Sequence, residues 1–240
     1  MAFSNLEDRL DVAQYESYLS VMCDLKDPFK TAFSYALDMA CVLDTNQLRG
    51  EYALFGGYGV LTHIVDRFGE KIIPIWRGSN DVDMLGTMKA LTALKSFYPF
   101  KSDLPSPNLE NKRTLIIAGE TGDYKLDFCV TSSEDLAARE NKSIWGVPVS
   151  VISPIRLIGN KILLAKDESK QKEDVLQLLG ILEYHGMEVP DFVKDLSSDK
   201  RISLYDLLMG VSPEGNRVNI GASEDYFKSL KVYLRKLISR

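Results

Sequence analysis

The feature that most constrains the fold of this chain is a change of pattern between residues 51 and 153. Within that stretch, short runs rich in β-branched and aromatic residues are separated by turn residues, which is typical of strands. We predict six strands, at residues 52–55, 72–76, 82–85, 114–118, 125–130 and 147–152. Helical patterns over 58–67 and 87–97 lie between them. Because the two patterns are interleaved, we expect an α/β (α+β) unit built on a mixed sheet that helices flank.

Helical patterns occupy both ends of the chain. Apolar residues recur at helical intervals over 6–48, and Pro28 interrupts them, which predicts two helices. After the β-rich stretch, Ser153 and Pro154 suit the N-cap and first position of another helix. Further helices are predicted at 169–185, 191–196, 203–209 and 223–239. We therefore divide the chain into an N-terminal helical segment (1–50), a core (51–152) and a C-terminal helical domain (153–240).

Two segments of the core interrupt the alternation of strands and helices. Residues 99–112 are rich in Pro, Ser and Asn, and we predict that they form an exposed loop. Residues 69–76 lengthen the interval between Gly57 and Asp81. Their apolar run predicts a strand and a turn, inserted there as a hairpin.

Composition and charge limit the function classes that suit the chain. Its 29 Lys and Arg against 34 Asp and Glu give a net charge of -5, so a nucleic acid or anionic membrane would need a local basic patch. The N-terminus has no signal-peptide pattern, and no apolar run is long enough for a membrane span, so we expect a soluble, cytoplasmic protein without a membrane partner. Three scattered cysteines and two histidines lack metal-ligand spacing, which argues against zinc and against a disulfide framework.

A pair of glycines, Gly56 and Gly57, lies between a predicted strand and a predicted helix. Glycine has no Cβ, so the backbone there can approach a ligand closely. The helix behind the pair presents unpaired N–H groups and the positive end of its dipole. This combination predicts a cradle for a triphosphate.

Acidic residues on two predicted strands indicate a metal site. Alternate side chains of a strand share a face, so Asp81 and Asp83 point the same way. Two neighbouring carboxylates repel each other unless a cation lies between them, and oxygen ligands of this kind suit Mg²⁺. Asp127, on a later strand, can join the pair if the strands are neighbours. Three carboxylates can hold two ions, and we assign Asp127 to the ligand nearest the nucleophile.

Two polar residues precede the acidic pair. Arg77 suits either a phosphate ligand or an ion pair that orients Asp81 or Asp83, and the sequence does not separate these roles. Ser79 suits a contact with triphosphate or a cap on the turn into the strand, and its position favours the turn slightly.

Lys161 interrupts the apolar face of the helix predicted after Ser153. A buried ammonium is costly without an anionic partner, and a triphosphate would supply one. The alternative is that the lysine extends along the helix to solvent. We expect Lys172 and Asp174, which follow it, to lie on a solvated helical face.

Gly56-Gly57, Arg77-x-Ser79-x-Asp81-x-Asp83 and Asp127 resemble the motifs of the DNA polymerase beta-like nucleotidyltransferase superfamily. Residues 147–175 resemble a strand, a helix and a lysine-plus-acid segment of its bacterial and archaeal branch, which includes the AbiE-type abortive-infection toxins. The resemblance covers about 51–182. It implies a nucleotidyltransferase-type fold, Mg²⁺, a nucleoside triphosphate such as ATP, and RNA or tRNA, a protein or a small molecule as acceptor. A toxin–antitoxin setting implies a cognate antitoxin protein as partner.

Three functions follow as hypotheses. The first is a Mg²⁺-dependent nucleotidyltransferase of the toxin or RNA-modifying type, in which Gly56, Gly57, Ser79 and Lys161 hold the triphosphate. The second is transfer to an aminoglycoside-like small molecule, which an acidic cleft beside Asp127 would favour. The third is a non-catalytic nucleotide-binding or partner-binding module. It would explain Tyr58, a bulky residue after the glycines that we expect to crowd the phosphates or stack on a base.

Overall fold

The computed structural model describes residue 6 and residues 8–106, 109–118, 123–163, 169–211 and 221–239. They belong to two compact units, residues 1–152 and residues 153–240. The first unit contains the N-terminal helices as well as the sheet, and the second contains helices. Within these described ranges, no helix is both long and apolar enough to span a membrane.

The first unit is built on a seven-stranded sheet with the order β3-β4-β5-β2-β1-β7-β6. Its strands are β1 Tyr52–Leu54, β2 Asp81–Gly86, β3 Phe100–Ser106, β4 Leu109–Ala118, β5 Asp123–Val130, β6 Arg139–Ile144 and β7 Val147–Ile152. The pairs β2/β5 and β1/β7 are parallel, and the others are antiparallel. The predicted mixed sheet is therefore confirmed.

Helices flank this sheet. They are α1 Val12–Asp24, α2 Phe29–Thr45, α3 Gly56–Phe68 and α4 Met88–Phe97. Helices α2, α3 and α4 contact the strands at the centre of the sheet. On β2 the side chains of Val82 and Met84 are buried while those of Asp81 and Asp83 are half-buried. The alternation expected from the sequence thus leaves the two carboxylates on the face opposite the apolar residues.

The strand and hairpin predicted within residues 69–76 are wrong. The chain forms a 3-10 helix there, Glu70–Ile75, directly after α3. Ile73 is buried within this helix and Trp76 is buried directly after it, and a spacing of three places both on one side of a 3-10 turn. Apolar residues alone do not distinguish this short turn from a strand. A segment of so few residues is too short to show whether its apolar positions follow the helical or the strand period.

The loop predicted over residues 99–112 is also wrong, because the described part of it forms the β3–β4 hairpin; residues 107 and 108 lie outside the described residues. Strand β3 is at one edge of the sheet and β6 is at the other, and β6 has no counterpart among the predicted strands. Edge strands are partly solvated, so they tolerate Pro105 and many polar residues. Their sequences consequently lack the apolar alternation by which the inner strands were found.

The second unit contains α5 Pro154–Lys161, α6 Ser169–Tyr184, α7 Val189–Lys194, α8 Ser198–Met209 and α9 Glu224–Ile238. The five predicted helices are present, and α8 begins five residues before its predicted start. Helix α5 packs against α6, while α9 packs against α7 and α8.

Candidate functional site

Strand pairing brings the three aspartates together. Strand β2 runs parallel to β5, with Asp81 opposite Lys125 and Asp83 opposite Asp127. Residues opposite each other point to the same face. One carboxylate oxygen from each of Asp81, Asp83 and Asp127 lies within 4.8 Å of the other two. We call these residues the carboxylate trio.

The trio has the chemistry and spacing of a site for a divalent cation. Mg²⁺ prefers oxygen ligands at about 2.0–2.1 Å, so opposite ligands of one ion are roughly 4 Å apart. The 4.8 Å spread of the three oxygens is close to that distance. Three carboxylates on one patch also carry a charge that favours a cation strongly. The residues present therefore fit Mg²⁺.

Asp127 is the most enclosed member of the trio, with 4% of its side chain exposed. Its Oδ2 lies 2.7 Å from the Lys112 ammonium and 2.8 Å from that of Lys125, and the Thr114 hydroxyl donates to Oδ1 over 2.7 Å. Burial is the largest influence on the Asp127 pKa and raises it, but these three donors together hold that pKa below its ordinary value. Asp127 is therefore a charged carboxylate at neutral pH.

Lys112, Thr114 and Lys125 were not among the residues predicted from the sequence. Lys125 precedes Asp127 by two positions on one strand, so its presence on the same face was deducible from the alternation. Thr114 lies opposite Asp127, and Lys112 lies opposite Cys129, through the antiparallel register of β4 and β5. That register comes from tertiary structure and carries no local signal in the sequence.

The glycine pair lies directly against the trio. Gly56 has a φ of +60°, which disfavours other residues, and a Cβ on it would lie 1.9 Å from Asp83 Oδ2. A Cβ on Gly57 would lie 2.7 Å from the Ser79 hydroxyl oxygen. The Phe55 N–H donates to the Asp83 carbonyl over 3.1 Å, which ties the start of α3 to β2. The side chain of the N-cap residue, Phe55, makes no capping hydrogen bond. The first N–H groups of this helix therefore start beside the carboxylates.

Ser79 is buried, and its hydroxyl donates to Asp81 Oδ1 over 3.2 Å. It thus orients a carboxylate of the trio, in addition to any contact it makes with a ligand. The Arg77 guanidinium lies over the Trp76 ring, 4.5 Å from its centroid, and donates to the Gly78 carbonyl over 2.6 Å. Both roles considered for Arg77 stay predictions.

Tyr58 does not have the role expected from the sequence. The residue is 1% exposed, and its ring is stacked with those of Phe29 and Phe33, at centroid distances of 6.2 and 5.8 Å. Its hydroxyl donates to the Ser79 carbonyl over 2.8 Å. The expectation that it crowds phosphates or stacks on a base is wrong. It instead fixes the backbone of the turn before β2 from inside an aromatic cluster.

Lys161 belongs to the second unit and is buried there. Its ammonium lies 2.6 Å from Asp174 Oδ2 and donates to Gln171 Oε1 over 3.1 Å. It does not extend to solvent, and Asp174 is fully buried rather than part of a solvated face. The anionic partner inferred from its burial is thus present within the chain. A contact between Lys161 and a triphosphate stays a prediction.

No protein-family model matches the chain, and no curated protein matches its sequence. Several solved structures align with most of it, among them the following three. An antigenic nucleotidyltransferase-like protein from Paracoccidioides brasiliensis is 16% identical, with 79% of this chain and 93% of that one covered and a TM-score of 0.47. A putative nucleotidyltransferase from H. pylori is 15% identical, with 85% and 95% covered and a TM-score of 0.39. Antibiotic-resistance factor ANT(2'')-Ia is 11% identical, with 84% and 89% covered and a TM-score of 0.41. Each is a distant likeness of chain fold.

Proposed function

We propose that this protein is a Mg²⁺-dependent nucleotidyltransferase that moves a nucleoside monophosphate from a triphosphate donor to an acceptor hydroxyl, with release of pyrophosphate. The observation that carries the proposal is the trio itself, in which Asp81, Asp83 and Asp127 come within 4.8 Å on adjacent parallel strands. The glycine pair against Asp83 supports it, since it brings the start of a helix to the same place.

Some residues of the site would bind the cation or the triphosphate, and others would orient those ligands' partners. Asp81 and Asp83 would hold the cation, with Ser79 orienting Asp81. A bound Mg²⁺ supplies charge neutralisation at the transferring phosphoryl group and makes a nearby hydroxyl more acidic. The N–H groups behind Gly56 and Gly57 would donate hydrogen bonds to triphosphate oxygens. Asp127, charged and held by three donors, would be the carboxylate nearest the acceptor hydroxyl.

A non-catalytic module of the same fold explains the site less well. Its support was Tyr58 and an inserted hairpin, but Tyr58 is buried in an aromatic cluster and residues Glu70–Ile75 form only a 3-10 helix. Lys112 and Lys125 offset part of the charge of the three carboxylates, but one negative charge remains in excess, and the repulsion that is left lowers stability unless a further cation binds. A module that only binds a partner has no need of them.

The surroundings of Asp127 bear on the acceptor. Lys112 and Lys125 adjoin it, where an acidic cleft would have favoured an aminoglycoside-like acceptor. Two ammonium groups repel a polycation and attract phosphates. We therefore rank RNA or tRNA first among acceptors. ATP as donor, a triphosphate contact of Lys161, a toxin-type role and an antitoxin partner belong to the same proposal and rest on the resemblance of sequence motifs.

The test is an incubation of purified protein and Mg²⁺ with each of the four triphosphates labelled at the α-phosphate. Total RNA, tRNA, protein and an aminoglycoside are supplied separately as acceptors. We expect label on RNA, lost when EDTA replaces Mg²⁺ and when Asp81→Asn replaces the wild type. If no acceptor gains label while calorimetry still detects triphosphate binding, the protein is a binding module and the proposal fails.

A further inference from the structure

A lysine ammonium lies among the carboxylates of the trio. Lys125 Nζ is 2.8 Å from Asp127 Oδ2 and 3.7 Å from Asp81 Oδ2, so it contacts carboxylates on both β5 and β2. Its position follows from the fold, since Lys125 is opposite Asp81 in the parallel pair and precedes Asp127 by two residues. Lys112 Nζ lies 2.7 Å from the same Asp127 oxygen, and among the described residues it forms no ion pair with Asp81.

We propose that Lys125 is a resident counter-ion of the trio, which a divalent cation must displace from Asp127 before it can use that carboxylate. The inference rests on the proposed function, because it takes the trio to be the metal site. A carboxylate oxygen held at 2.8 Å by an ammonium cannot accept a dication at about 2 Å without the two positive charges coming close together. Lys125 is 43% exposed, so its long side chain has room to leave.

This arrangement has a cost and a benefit. Without metal, the ammonium offsets the charge of Asp127, whose carboxylate is almost wholly buried. The trio can therefore form before any ion arrives. The cost is that the protein binds a metal ion less tightly when no triphosphate is present. A triphosphate would reduce that cost, since its phosphates would accept the released ammonium. Metal and triphosphate should accordingly bind more tightly together than separately.

The experiment measures Mn²⁺ binding to the metal-free protein by electron paramagnetic resonance and calorimetry, first without nucleotide. We expect Lys125→Met to bind Mn²⁺ about tenfold more tightly, because a competing positive charge is gone. Lys125→Arg retains the charge and should stay within about twofold of the wild type. Lys112→Met should gain less than Lys125→Met, since Lys112 is held by Asp127 but not by Asp81.

Lys101→Met is the matched control for net charge. Lys101 pairs with Asp123 at an exposed position, 2.6 Å away, and neither residue belongs to the trio. Its removal should leave Mn²⁺ affinity unchanged. With a non-hydrolysable triphosphate present, Lys125→Met should lose most of the increase in Mn²⁺ affinity that the nucleotide produces in the wild type.

A separate readout checks the metal-free state. In EDTA, Lys125→Met should melt at a lower temperature than the wild type, and Mn²⁺ should raise its melting temperature by a larger amount. Lys125→Gln serves as a second variant if the Met variant does not fold.

Three outcomes would overturn the inference. An unchanged Mn²⁺ affinity in Lys125→Met, with clear binding by the wild type, would remove the counter-ion role and leave the proposed function intact. Equal gains in Lys125→Met and Lys101→Met would reduce the effect to net charge. If neither the wild type nor any variant bound Mn²⁺, the trio would not be a metal site, and the proposed function would be refuted as well.

Discussion

The molecule contains two clusters of charged side chains with opposite designs. The trio of the first unit has three carboxylates against the ammonium groups of Lys112 and Lys125, and its side chains are partly open to solvent. In the second unit, Lys161 and Asp174 form a pair of one charge each, with side chains 8% and 0% exposed. The pair is complete in itself, whereas the trio has an excess of negative charge and access to a cation.

The pair and the trio differ in what stabilises their charges. A buried ion pair that is fully hydrogen-bonded is held by the fold, and the loss of either partner leaves an uncompensated charge. A cluster with an excess of like charge, of which two members are half-buried, keeps a net repulsion in the folded chain, and a cation that binds to it adds stability. Changes at the trio should therefore affect chemistry more than stability, and changes at the pair should do the reverse.

The strongest test of this contrast is Asp81→Asn. The substitution removes a charge with almost no change of volume, and we expect nucleotidyl transfer to fall by about 10³-fold or more because a metal ligand is lost. The midpoint of urea unfolding should not fall, since a repelling charge leaves the trio. Asp123→Asn, at an exposed aspartate outside the trio, is the control and should retain full activity. Undiminished transfer by Asp81→Asn would end its assignment as a ligand.

The reverse case is Lys161→Met. It leaves Asp174 charged and buried, so we expect the free energy of unfolding to fall by about 3–5 kcal/mol. Urea denaturation followed by circular dichroism measures the loss. Lys161→Met combined with Asp174→Leu should regain most of that stability, because no buried charge then remains unpaired.

The double variant also tests the triphosphate role of Lys161. A folded double variant with a normal KM for triphosphate would exclude the role, and a large rise in KM would support it. No recovery of stability in the double variant would contradict the view that the pair is self-contained.

The link between backbone and trio is tested by Gly56→Ala. The new Cβ would meet Asp83 Oδ2 at 1.9 Å, in a backbone with φ of +60°, so we expect a loss of about 2–4 kcal/mol in stability from strain and overpacking. Transfer activity should fall with it. Gly69→Ala is the matched control, since Gly69 has φ of +75° but open space around it. It should cost about 1–3 kcal/mol, because φ of +75° with ψ of 172° is a backbone region that essentially only glycine adopts, and it should leave activity intact. Equal losses in the two variants would mean that the contact with Asp83 does not matter.

His63 provides a third arrangement, in which an ionisable group is buried without charge. Its Nε2 must donate to the Ile152 carbonyl, 2.8 Å away, because a carbonyl only accepts. Its Nδ1 has no hydrogen-bond partner within the described residues. Burial is the main influence and lowers the His63 pKa from its ordinary 6.5, although the bond to Ile152 opposes it.

Stability should therefore depend on pH through His63. Below about pH 6.5 the unfolded chain binds a proton at this residue more readily than the folded chain does, so the free energy of unfolding falls as pH falls. We expect a loss of at most about 1 kcal/mol between pH 7 and pH 5.5. Urea midpoints at both pH values measure it. The difference between the two pH values should shrink in His63→Gln, and an unchanged difference would assign the pH dependence to other groups.

The sequence predicted those parts of the site whose signals are local. Asp81 and Asp83 share a face because strands alternate, and Gly56 and Gly57 are the first two residues of a helix whose start was predicted two residues later. Lys112 and Thr114 were missed because they reach Asp127 only through the register of β4 against β5. The edge strands β3 and β6 were missed because solvated strands lack an apolar face.

By itself the sequence determined the alternating strands and helices, the two aspartates on one strand face, and the glycines that allow close approach of the backbone. These properties depend on residues next to one another in the chain, for which side-chain period and backbone sterics are sufficient. Only tertiary structure decided that Asp127 joins them, that Lys125 lies between the carboxylates, and that Asp174 neutralises Lys161. Electrostatic energy depends on distance through space, and the pairing of strands and helices sets those distances.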